Sequence, residues 1–251
     1  MYIFVNCKFS FSFMCFIEQY IIRKNIKESY PRDWDEDFIT RSLLKSLRTE
    51  LPQPTSIHLH PYTKPDLRHH KVEVKWDAYK MTGGKENKFG DVAILVVTKY
   101  PDGDTIKGVA FLEAKKRYKN SSHFRAIDFE QLKRITDNAP RASLLLYDFN
   151  IINQYWWPTY IVTVPADLVI ATHKKDISLY KFSKPFSAAL LNYLLGFDLE
   201  HTEKALSIAK GYQTEYGTPL YLMVIRVGIG TEPPSDNEVD FNRNYFVRLE
   251  E

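Results

Sequence analysis

Apolar residues recur along this chain with two periods. Ile39, Leu43 and Leu47 share one face at helical spacing, with Leu44 beside them, which predicts an amphipathic helix over 33–50, ended by Leu51-Pro52-Gln53-Pro54. Val72, Val74 and Trp76 alternate, predicting a strand over 70–80. A Gly- and Lys-rich loop, 81–88, leads to a Val-Ala-Ile-Leu-Val-Val run after Asp91, a strand over 91–97. Tyr100-Pro101-Asp102-Gly103 is a turn, with Pro at its second position and Gly at its fourth, and 108–115 is the returning strand. A helix is predicted over 124–137, ended near Asn138-Ala139-Pro140, then buried strands over 142–147 and 160–164. Helical patterns follow at 186–196 and 199–211, a strand at 219–227, and a polar tail from Thr231 with Pro233-Pro234. The chain has no internal repeat. Helix, three strands, helix, strand predicts an α/β fold, a mixed β-sheet flanked by helices.

The N-terminus breaks this pattern. Residues 1–17 carry one charge, Lys8, and Lys8 to Phe13 alternates as a strand does. Glu18, Arg23, Lys24 and Lys27 cut the run short of the ~20 apolar residues a membrane span needs. It lacks the basic start and small-residue cleavage site of a signal peptide. Residues 1–30 are therefore read as an apolar extension, packed or frayed, and a membrane anchor is disfavoured. Residues 31–175 are read as the core and 176–251 as C-terminal helices and strand. Composition is that of a globular chain: 251 residues, 44% apolar, 26% charged, with 16 Tyr and 16 Phe. A net charge of +3 means that nucleic-acid affinity would come from a local patch. The two cysteines, Cys7 and Cys15, make no disulfide framework or zinc site, and a reducing cytoplasm is expected.

The hairpin carries the chemistry. A three-residue loop, Pro101-Asp102-Gly103, pairs Tyr100 with Asp104. Carried along the strands, that pairing sets Asp91 opposite Glu113, with Cα atoms about 4.5–5.5 Å apart. A bulge at the turn would shift it by a residue or two. Lys115 projects from the same face as Glu113, and Ala114 from the other. Opposed carboxylates destabilise a ladder, and a divalent cation removes the repulsion through hard oxygen ligands. A nearby ammonium can then hold a water or a phosphate oxygen, which is the equipment for metal-assisted phosphodiester hydrolysis. The plainer reading is a surface salt bridge between Glu113 and a neighbouring lysine.

Gly90-Asp91, followed on the returning strand by Glu113-Ala114-Lys115, resembles the PD-(D/E)XK, or restriction-endonuclease-like, nuclease superfamily. Gly90 stands where the motif's name has proline. The resemblance covers about residues 33–165. It implies a restriction-endonuclease-like core with a C-terminal helical and strand extension. It also implies a Mg²⁺-dependent nuclease, Mn²⁺ being the substitute, in which Asp91 and Glu113 bind metal and Lys115 positions the attacking water.

Two helices add candidates. Glu36 is in phase with Leu43 and Leu47. The resemblance implies a metal-binding Glu on the first helix, whereas Asp33 as N-cap would make Glu36 part of a capping box. Gln131 is in phase with Phe124, Ile127 and Ile135, so it is either satisfied by backbone or, as the resemblance implies, turned into the active site. From Glu113 to Arg134 run Lys115, Lys116, Arg117, Lys119, Arg125, Lys133 and Arg134, against Glu113, Asp128 and Glu130. Lys116, Arg117, Lys119 and Arg125, joined by Lys85 and Lys88 from the preceding loop, form a candidate phosphate-binding patch. A solvated helix face explains Lys133 and Arg134 equally well. His58, His60, His69 and His70 lack a clear third zinc ligand, and Tyr155-Trp156-Trp157-Pro158 is either core or a base-stacking cluster. Gly228-Ile229-Gly230 is too short for a dinucleotide loop, and there is no P-loop and no G-x-S-x-G elbow.

The function expected is hydrolysis of DNA phosphodiester bonds, with restriction, repair or antiviral defence as the implied setting and RNA as a further substrate class. The alternative is a catalytically weak nuclease-like subunit that binds nucleic acid or a protein partner. Without a P-loop, translocation would fall to a helicase or ATPase partner subunit, and a homo-oligomer is the other assembly left open.

Overall fold

A computed structural model describes residues 13–57, 70–82, 89–118, 121–124, 126–149, 159–213, 215 and 217–250. The fold is α/β, with a mixed, largely open nine-stranded sheet flanked by helices. The strands are β1 (Thr55–Ile57), β2 (Val72–Met81), β3 (Val92–Lys99), β4 (Thr105–Lys116), β5 (Ser143–Phe149), β6 (Thr159–Pro165), β7 (Lys184–Pro185), β8 (Tyr221–Ile229) and β9 (Phe246–Arg248). Their order across the sheet is β1-β2-β8-β3-β4-β5-β6-β7, and β9 pairs with β2. The β8–β3 and β4–β5 pairs are parallel and the others antiparallel.

One helical layer holds α1 (Arg23–Ser29), preceded by a π-helical stretch Ile17–Ile22, together with α2 (Glu36–Glu50) and α5 (Phe186–Leu194). The other holds α3 (Phe129–Thr136), α4 (Ala166–Thr172) and α6 (Glu203–Ala209). Asp35, not Asp33, starts α2, accepting from the Asp37 and Phe38 amides at 3.0 and 3.4 Å. Its buried stripe is Ile39, Leu43, Leu44 and Leu47, each contributing roughly 1.5–3 kcal/mol by burial. The chain turns extended at Leu51, as the residue before a proline prefers.

The N-terminal segment packs from Phe13 onward. Ile17, Ile21, Ile22 and Ile26 are fully buried in the core of the first layer, so this part is not frayed. No helix among the described residues is long and apolar enough to cross a membrane. The stretch 176–251 supplies β8, whose nine residues are all buried, between β2 and β3.

A buried ion cluster ties β2 to β8 and β9. Asp77 is 1% exposed and accepts from Arg226 and Arg248, with Arg48 Nε 3.8 Å away. Arg226 also pairs with Asp236 and donates to the Pro234 carbonyl at 3.3 Å.

Candidate active site at the end of the hairpin

The hairpin has the register expected. Val92 pairs with Leu112 and Lys99 with Thr105, with no bulge between. The Tyr100 amide donates to the Asp104 carbonyl at 2.9 Å and Gly103 donates to Tyr100 at 3.0 Å. One step past Val92, the Asp91 amide donates to the Leu112 carbonyl at 3.0 Å, and the Asp91 carbonyl accepts from Tyr221 at 2.8 Å. Asp91 is thereby held between β4 and β8, and its Oδ2 accepts the Ala114 amide at 2.8 Å.

Alternation along β4 puts Ala110, Leu112 and Ala114 in the layer of α2, so Glu113 and Lys115 project with Phe111 toward the layer of α3. Glu113 is 3% exposed and Lys115 7%, with Lys115 Nζ 2.5 Å from Glu113 Oε1. The salt bridge foreseen as a surface feature is buried. Glu113 Oε2 is buried without a hydrogen-bond partner, and such an oxygen costs stability unless something binds it. Glu36 reaches the same strand end from α2, its Oε1 accepting the Lys116 amide at 2.9 Å. The structure thus brings Asp91, Glu113, Lys115 and Glu36 together.

Electrostatics follow from burial. Burial and the neighbouring Asp91 charge push the Glu113 carboxyl up to about 7. Burial also raises Asp91 and Glu36, against the pull of Lys115 on Asp91 and of the Lys116 amide on Glu36. Burial alone would lower the Lys115 ammonium, but Glu113 and Asp91 outweigh it and hold it above its ordinary value.

Gly90 explains the departure from the motif's proline. Its φ is +81°, which a proline ring fixed near −65° cannot adopt. A Cβ there would stand 3.3 Å from the Leu112 carbonyl oxygen. Gly90→Ala is expected to cost about 1–2 kcal/mol in urea unfolding, the left-handed penalty.

The helix at 124–137 is shorter than expected. Asp128 caps it by accepting from the Glu130 and Gln131 amides, and Phe124 instead donates its amide to Lys175 in a loop at 2.6 Å. The phase drawn from Phe124 and Ile127 is therefore not a helical one. The buried face is Leu132 and Ile135, and Gln131 is half-buried. Its side chain makes no hydrogen bond among the described residues. The Ile135 side chain packs over Gly90, so α3 runs beside Asp91 with Gln131 one turn before that contact.

Lys116 and Arg117 do not form the free basic patch expected. Lys116 Nζ donates to the Trp34 carbonyl and lies 3.7 Å from Asp35. Arg117 pairs with buried Asp148 and donates to the Ser121 and Phe149 carbonyls, at 2.7 and 3.1 Å. Both cations stabilise the strand end because it is too buried for water to satisfy them. Lys85, Lys88, Lys119, Arg125, residues 1–12, His58, His60, His69 and Tyr155–Pro158 lie outside the described residues.

Five neighbours were not foreseen. Asp37 accepts from the Tyr221 hydroxyl at 2.5 Å and from Lys80 at 3.1 Å. Thr40 Oγ1 donates to the Glu36 carbonyl at 2.6 Å and pairs with the Tyr147 hydroxyl at 2.8 Å, anchoring the first turn of α2 beside β5. Both tyrosines look like ordinary core in the sequence, and only the charge of Asp37, next to Glu36, offered a signal.

The chain matches no protein-family model, curated protein or solved structure.

Among the described residues no group of three or more His, Cys, Asp or Glu side chains stands in an arrangement that could hold a metal ion. The donor chemistry is that of hard oxygen ligands. Three carboxylates converge, each spending one oxygen on the protein, and the second oxygen of Glu113 has no partner.

Proposed function

We propose that this chain is a Mg²⁺-dependent nuclease of the PD-(D/E)XK kind, hydrolysing phosphodiester bonds in DNA. The observation that carries the reading is the buried, unpartnered Oε2 of Glu113 beside Asp91, Glu36 and the Lys115 ammonium. Asp91, Glu113 and Glu36 would hold the cation. Bound there, Mg²⁺ supplies positive charge to the scissile phosphate and the leaving oxygen.

Lys115 is charged at neutral pH, so it donates hydrogen bonds and does not accept a proton. It orients the attacking water and a phosphate oxygen while Asp91, fixed by the Ala114 amide, keeps its carboxylate at the strand end. Gln131, one turn from the Gly90 contact, is the further candidate for holding that water.

The test is cleavage of supercoiled plasmid, linear duplex and RNA by the purified chain. Mg²⁺ and Mn²⁺ are expected to support turnover, Ca²⁺ to support binding without turnover because it accepts looser geometry, and EDTA to abolish cleavage. Equal activity in EDTA overturns the reading. The alternative, a nuclease-like subunit without turnover, draws on the same ion pair, since Lys115 already neutralises Glu113. That reading expects no change in melting temperature on adding Mg²⁺, whereas a metal site expects a rise.

A further inference from the structure

We infer that Tyr118 is a base-stacking platform beside this site, and that the preferred substrate presents unpaired bases next to the scissile phosphate. The inference rests on the nuclease reading and adds the substrate class. Tyr118 follows Lys115 by three residues, within about 10 Å of chain, or about three stacked nucleotides. Tyr118 is 41% exposed although it adjoins the buried strand end.

The turn carrying it is pinned. The Arg117 amide donates to the Tyr147 carbonyl at 2.9 Å, the Ser121 amide to the Tyr118 carbonyl at 3.1 Å, and the Arg117 guanidinium to the Ser121 carbonyl at 2.7 Å. Arg117 is thus spent on holding the aromatic in place. The Trp34 indole donates to the Arg117 carbonyl at 2.9 Å, bracing the turn from α2's side. The Lys116 ammonium, itself held by the Trp34 carbonyl, stands 5.5 Å over the Tyr118 ring and braces it from one side. A ring braced by that cation on a hydrogen-bonded turn loses little freedom on binding, and every base has a face to offer it, so the platform selects for unpaired bases and not for sequence.

The experiment compares Tyr118→Ala, Tyr118→Leu and Tyr118→Phe with the unaltered protein. Affinity is measured in Ca²⁺, by fluorescence anisotropy, for one DNA sequence as a single strand, a blunt duplex and an overhang duplex, with melting temperature recorded for each variant. Removing the ring is expected to lower affinity for the single strand and the overhang about 5- to 150-fold relative to the blunt duplex, the size of one base–aromatic stack. Tyr118→Leu behaves as Tyr118→Ala, and Tyr118→Phe restores the ratio. An unchanged ratio in Tyr118→Ala, or an equal loss in Tyr118→Phe, overturns the inference. Failure of the unaltered protein to cleave any of these nucleic acids in Mg²⁺ overturns the nuclease reading instead.

Discussion

Glu113→Gln is expected to lower DNA cleavage by at least about a thousand-fold while the protein folds normally. The change is isosteric, and on the proposed function it removes a charged oxygen ligand from a site where a bound cation would supply several kcal/mol of transition-state stabilisation, at 1.4 kcal/mol per decade. Lys115 keeps Asp91 as a counter-charge. A second readout is the pH dependence of stability without metal. Glu113 is held at about 7 against an ordinary 4.5, so the folded state binds its proton more tightly than the unfolded state does. The stability this contributes is complete below 4.5 and is lost as pH rises through about 7. In EDTA the melting temperature of the unaltered protein should fall across that window, and Glu113→Gln should flatten the fall. Wild-type turnover in Glu113→Gln would remove the site.

Asp77→Ala is expected to be the most damaging single change to stability, by about 3–5 kcal/mol in urea unfolding, because it leaves guanidinium charge buried without its partner. Asp77 faces Arg226, itself 7% exposed, along with Arg248 and Arg48. Arg226 already has a buried Nε without a partner, and it would keep only Asp236, which is about half exposed, as counter-charge. Replacing both residues, Asp77→Ala with Arg226→Met, should recover much of the stability, since the most deeply buried guanidinium, that of Arg226, is removed along with its partner. A double variant no more stable than Asp77→Ala would show that the ion cluster is not the cause.

What the sequence disclosed was local. The turn residues Pro101 and Gly103 set the hairpin register, and the register alone placed Asp91 across from Glu113. Glu36 was legible by helical phase, although its cap is Asp35 and not Asp33. The errors came from partners distant in the chain. Nothing near Arg117 announces Asp148, so a buried clamp read as a free cation. Phe124 mimicked a helical position because loop burial and helix burial look alike in a short apolar series. Ile17, Ile21, Ile22 and Ile26 are a packed stripe hidden by the low charge of the segment before them.

The position of β8 has a consequence for how the protein is made. During synthesis β2 and β3 leave the ribosome long before Tyr221–Ile229, yet neither can pair with the other, because the place between them belongs to the last long strand. Before it arrives, β1 can pair with β2, and the β3–β4 hairpin with the strands that follow it, but the two halves have no strand in common. Until the final segment is threaded in, the chain exposes two apolar strand edges, one on each half of an unfinished sheet, and such edges invite pairing with other chains. Closure of the sheet is therefore the step at which a nascent copy either completes itself or joins its neighbours, and chaperone demand should concentrate there.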